Sequence, residues 1–162
     1  MQTPQTDQGK HDKLIEAARH AEAGEFEQAI ILLKDLMHHE PRHELAIGML
    51  GGLYAQIDLH ERAIEHFRRV LQINPKNALA GFQLGLSLMT VGRPEEAIAT
   101  WKLLLLNGDD FLAHFYSALV LTQMGRAAEA KPLLATAAAR MPNNHAAYPQ
   151  LLELLNGSSA KG

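Results

Sequence analysis

Along this 162-residue chain, a glycine that ends one apolar-periodic run is followed five residues later by an alanine in the next. The pairs are Gly24/Ala29, Gly92/Ala97 and Gly125/Ala130, with Asp58/Ala63 as the variant. Self-similarity of this kind limits the chain to stacked copies of one supersecondary unit, each too small to bury its own apolar face. Prolines close the units at Glu40-Pro41, Asn74-Pro75 and Met141-Pro142, so Pro41 to Pro75 spans 34 residues. Gly92 to Gly125 spans 33, and the third unit ends in Asn107-Gly108-Asp109-Asp110 with no proline.

This phasing divides the chain into four units, residues 10–43, 44–77, 78–110 and 111–144. Each contains two apolar runs with a helical period around a short turn. In the second unit Leu50, Tyr54 and Ile57 mark one helix, and Ala63, Ile64, Phe67, Val70 and Leu71 mark the next. No stretch sustains the alternation of a strand, so the predicted class is all-α. Tyr148, Leu151, Leu152, Leu154 and Leu155 carry the helical period through residues 145–155, a predicted capping helix, and Asn156-Gly157-Ser158-Ser159 is expected to stop it. Residues 1–9 and 156–162 are expected to be flexible ends.

The units resemble the tetratricopeptide repeat (TPR). The second supplies Leu50-Gly51, Tyr54, Ala63, Phe67 and Pro75, and the third supplies Leu84-Gly85, Leu88, Ala97 and Trp101. The first unit departs from the pattern at Glu16 and His20, and the fourth replaces Leu-Gly with Ser117-Ala118. Terminal repeats are often atypical because one side lacks a neighbour. The resemblance implies a right-handed superhelical stack of about nine helices with a concave face lined by the first helix of each unit.

Composition narrows the function classes. Fifteen Lys plus Arg against eighteen Asp plus Glu give a net charge of −3, without the cationic excess that nucleic-acid phosphates attract. Cysteine is absent, which removes disulfides, thiolate nucleophiles and zinc knuckles. The first ten residues are polar, and no apolar run approaches the ~18 residues of a membrane span, so a cytoplasmic protein without membrane insertion is expected. Glycine-rich phosphate loops are missing, and no cofactor is expected.

Carried over from the resemblance, the concave face holds Leu45, Gly48, Met49, Gly52, Ala55 and Gln56 from the second unit. The third contributes Leu79, Phe82, Gln83, Leu86, Met89 and Thr90, and the fourth Leu112, Phe115, Tyr116, Leu119, Thr122 and Gln123. None of these is charged. An uncharged strip with Met and aromatic side chains suits an amphipathic helix or an extended apolar segment. Each member could instead be inter-repeat core. Gly48 and Gly52 lie one turn apart on that face, and each costs about 1 kcal/mol of helix propensity relative to Ala. Close approach by a ligand or a tight helix crossing would explain them, whereas Gly51 is assigned to helix packing.

Other chemistries find less support. Some TPR proteins grip the free C-terminal carboxylate of chaperones with Lys, Asn and Arg, but the matching positions carry Leu14, Ala18, Met49, Leu79 and Gln83. Asp110, His114 and Ser117 fall at i, i+4 and i+7 in the order of a catalytic triad. A mid-helix backbone offers no oxyanion hole, and Ser117 falls at a packing position, so no enzyme is predicted. His38, His39 and His43 crowd one turn, but Pro41 separates them and no metal site is expected. Glu61, Glu65, Arg68 and Arg69 form a charged outer face at i,i+3 and i,i+4 spacing. The expected function is a non-enzymatic adaptor or chaperone that binds a protein or peptide segment in the groove. The alternatives are a chaperone like those of type III secretion translocators, or a self-associating homo-oligomer.

Overall fold

The recurrent Gly or Asp sits where the backbone must turn left-handed. In a computed structural model that describes residues 6–107 and 110–159, Gly24, Gly92 and Gly125 have φ of 75–77°, and Asp58 has φ 60°. Each ends a helix in the same way. The N–H one residue further on donates 2.8 Å back to a carbonyl five residues earlier: Glu25 to His20, Leu59 to Tyr54, Arg93 to Leu88 and Arg126 to Leu121. This is the Schellman motif, in which a residue free of Cβ strain satisfies otherwise orphaned carbonyls. Asp58 adopts the conformation as the one non-glycine residue with positive φ among the described residues, a role its short polar side chain tolerates.

Nine helices run through the described residues: α1 (Asp7–Glu22), α2 (Phe26–His39), α3 (Glu44–Gln56), α4 (His60–Ile73), α5 (Ala78–Thr90), α6 (Pro94–Asn107), α7 (Phe111–Gln123), α8 (Ala127–Arg140) and α9 (Tyr148–Ser159). No strand occurs among the described residues, and the all-α class follows directly. The first helix of each pair is capped by a polar side chain. Thr6 Oγ1 accepts from Gly9 N, His43 Nδ1 from Ala46 N, Asn77 Oδ1 from Ala80 N and Asp110 Oδ1 from Leu112 N. Helices α2, α4 and α8 have no such side-chain cap, because they start directly from the left-handed turn.

Two compact units divide the chain, Met1–Ser87 and Leu88–Gly162, with the boundary inside α5. In the first, α1 packs on α2, α2 on α3 and α3 on α4; in the second, α6 packs on α7, α7 on α8 and α8 on α9. The alanine of each Gly/Ala pair, Ala29, Ala63, Ala97 and Ala130, is completely or almost completely buried. Ala17, Gly51, Gly85 and Ala118 recur at one phase of the first helices, and all four are buried. The atypical units therefore keep a small residue at that point. Glu16, at the phase of Leu50 and Leu84, is exposed on the first helix, and His20 pairs with Glu25 in the turn.

The chain's ends differ from expectation. Helix α1 starts at Asp7 because Thr6 caps it, so residues 7–9 are its first turn rather than a flexible lead. The expected flexibility of residues 1–5 and 160–162 lies outside the described residues. Helix α9 begins at Tyr148, not at 145, after a turn in which His145 Nδ1 accepts from Ala147 N; Pro149 follows in its first turn, where a missing N–H is harmless. It runs through Gly157 to Ser159, since Gly157 is not among the glycines of positive φ that would end it.

Candidate functional site

Three glycines on α3 have different surroundings although their local propensities are identical. A Cβ added to Gly51 would lie 3.0 and 3.1 Å from the Phe67 ring and 3.2 Å from His66 Cβ. A Cβ on Gly48 would meet only Val70 Cγ2 at 3.7 Å, an ordinary contact, and one on Gly52 would meet nothing within 4 Å. Close packing thus requires Gly51 alone, and a tight helix crossing does not account for Gly48 and Gly52. Gly52→Ala should raise stability by about 1 kcal/mol through helix propensity. At Gly51 the same change should lower it, because overpacking costs about 1–3 kcal/mol. Denaturant midpoints of the two variants test this, and equal stabilisation by both would remove the steric role of Gly51.

Gly48 and Gly52 line a concave pocket of about 560 Å³ in the first unit, together with Leu45, Met49, Leu79 and Gln83. These six belong to the face expected from the sequence. Leu45 on α3 and Leu79 on α5 are large apolar residues at 57% and 70% exposure, and Met49 and Gln83 are half-buried. Phe67 and Val70 from α4 also line the pocket, and Ala80 is contributed by α5.

Sequence reasoning missed the polar end of this pocket, formed by His43, Glu44 and Asn77. Glu44 Oε1 accepts from Asn74 Nδ2 at 2.9 Å and from Asn77 Nδ2 at 2.7 Å. These two donors, Asn77 first, hold the carboxyl below its usual range. His43 Nδ1 accepts from Ala46 N in the α3 backbone. The available signal was the spacing: Glu44 lies one turn before Gly48 on the same helix stripe.

The remaining predicted residues are placed differently. Phe82 and Leu86 are half-buried on α5 in the first unit and are not part of the pocket lining. In the second unit Met89, Leu112, Tyr116 and Leu119 are half-buried. Phe115 is a correction: at 1% exposure it is interior and cannot line a groove. Its ring sits edge-on to Tyr116 at 5.2 Å, and Tyr116 in turn lies 6.0 Å from Trp101, so this end of the expected strip merges into core packing.

The triad-like residues have structural roles. Asp110 caps α7, His114 Nδ1 faces the Asp110 carbonyl at 3.0 Å, and the Ser117 hydroxyl is buried without a hydrogen-bond partner. Among the described residues no three His, Asp or Glu side chains group as metal ligands; His38 stacks edge-on with His39, and His43 is a cap. On the outer face, Arg69 donates to the Pro41 carbonyl at 3.0 Å, fastening α4 to the turn before α3. No helix among the described residues is long and apolar enough to cross a membrane.

Family models described as tetratricopeptide repeat match residues 50–152 and 16–78. The chain belongs to the TPR family. A curated relative, the BBSome complex member BBS4 of Bos taurus, is 28% identical over 79 residues, covering 49% of this chain and 15% of that protein. The chain therefore spans well under a quarter of that relative's length. A crystal structure of MamA protein matches with a TM-score of 0.78 at 18% identity, over 93% of this chain and 86% of MamA. A second MamA structure, AMB-1, has 28% identity and a TM-score of 0.66 over 77% of this chain and 74% of its own. YrrB, a TPR protein with an unusual peptide-binding site, matches at a TM-score of 0.74 and 19% identity over 92% of this chain and 75% of YrrB. The likenesses below 25% identity bear on fold alone. TPR proteins are typically protein-interaction modules, and that class is the one supported for this chain.

Proposed function

We propose that the chain is a non-enzymatic adaptor or chaperone whose first-unit pocket holds an apolar or amphipathic protein segment. The observation that carries this reading is the open floor at Gly48 and Gly52. Two helix-weakening residues that no neighbour requires leave room between exposed Leu45 and Leu79. An apolar side chain entering there would be removed from water at about 25 cal/mol per Å² of buried surface.

Displayed random peptides of about a dozen residues, selected on the whole protein, supply ligands even though the natural partner is unidentified. Leu79→Glu should leave the melting temperature nearly unchanged, since exposed substitutions usually shift stability by less than about 0.5 kcal/mol. The same variant, and the neutral Leu79→Gln, should bind the selected peptides at least about tenfold more weakly, because the apolar contact of Leu79 is lost and the new polar group must be desolvated. Recovery of no peptide, or equal binding by parent and variant, would refute the pocket as the binding surface. Loss of a parent oligomer in Leu79→Glu, with no peptide recovered, would point to self-association instead.

A further inference from the structure

Resting on the pocket reading above, we infer that the pocket selects a protein segment carrying a Lys or Arg side chain next to its apolar anchor. Glu44 is the one ionisable carboxylate in the lining, and its Oε1 is fixed by the Asn74 and Asn77 amides at 2.9 and 2.7 Å. No Lys or Arg among the described residues lies within ion-pair distance of it. The carboxylate is thus positioned in advance by two neutral donors, while its second oxygen has no protein partner among the described residues.

A bound apolar segment would cover this group. Removing a carboxylate from water is unfavourable even against two amides and a helix N-terminus, and an occupant that brings a cation offsets that cost best. Arg and Lys form the short, charge-assisted hydrogen bonds that suit it. Glu44 is the first residue of α3, whose positive end stabilises the carboxylate, while the C-terminal end of α4, capped at Asn74, contributes partial negative charge beside it. Glu44 and Gly52 are two turns apart on α3, about 12 Å along the axis. One segment can therefore seat an apolar side chain over the glycines and a basic one at Glu44. An acidic segment would be repelled.

The selected peptides test this directly. Their sequences should share a Lys or Arg at a fixed distance from a large apolar residue. Each peptide is then synthesised with the basic residue or with norleucine in its place and titrated calorimetrically against the parent and Glu44→Gln. Glutamine keeps the acceptor for both asparagines and removes only the charge. The basic peptide should bind Glu44→Gln about tenfold more weakly than the parent and lose its dependence on salt, whereas the norleucine peptide should bind both proteins equally. Three results would overturn the inference: no basic preference among peptides that Leu79→Glu abolishes, unchanged affinity of the basic peptide for Glu44→Gln, or equal weakening of both peptides, which would make Glu44 a structural brace. In each of these the pocket reading survives, while a failure to recover pocket-dependent peptides removes both.

Discussion

Trp101→Ala should destabilise the protein by about 3–5 kcal/mol, the range for removing a buried aromatic from a core. Trp101 lies on α6 with no exposed surface, and its ring is 6.0 Å from that of Tyr116 on α7. The void would open where α6 packs on α7, between helices whose buried alanines and Ser117 are too small to fill it. Domains of this size have about 5–15 kcal/mol of total stability, so the loss would be a large fraction. Equilibrium unfolding in urea, followed by circular dichroism, provides the measurement. Arrays of repeats can unfold in stages, so the second unit's transition should shift most. A loss below about 1 kcal/mol would mean that the site collapses around the missing ring and that Trp101 is not a core anchor.

The helix pairs are legible in the sequence because their determinants are local. A left-handed turn residue, an alanine five residues later and a polar cap are each fixed within a few positions, and their period repeats. Even Asp58, the odd member of its series, is recognisable by phase, and its φ of 60° explains why a residue other than glycine serves there. The pocket is only partly legible, since its character depends on distant neighbours. Gly51 and Gly52 are adjacent and chemically identical, and only the Phe67 ring on the next helix distinguishes them. Glu44 takes its partners from positions 30 and 33 residues away. Phase alone misplaces Phe115 for a related reason. On α7 Ala113, His114, Phe115, Ser117, Ala118, Val120 and Leu121 are all buried, so that helix has no wide exposed face and its helical phase does not identify a groove.

Ending the chain after Asn144 should destabilise the second unit and make the protein prone to aggregate. Helix α9 packs on α8, and its Leu151 is completely buried. Burying one leucine is worth about 1.5–3 kcal/mol, and that contribution disappears with the helix. The α8 surface beneath would face water as well. Leu134, Ala137 and Met141 are all nearly fully buried on or just after α8, and the edge contact between the Phe111 and His145 rings, 5.4 Å apart, would also be lost. Covering the apolar end of a repeat stack is what keeps such arrays soluble, and that is the role proposed for α9 against α8. The expected result is a lower melting temperature for the truncated chain, with scattering that grows with concentration. Leu151→Ala in the full-length chain separates burial from chain length: it should reproduce part of the loss, about 2–5 kcal/mol for a leucine in a core, without shortening the protein. A truncated chain that keeps the parent's oligomeric state and melts with the parent would show that α9 is dispensable and that α8 completes the fold unaided.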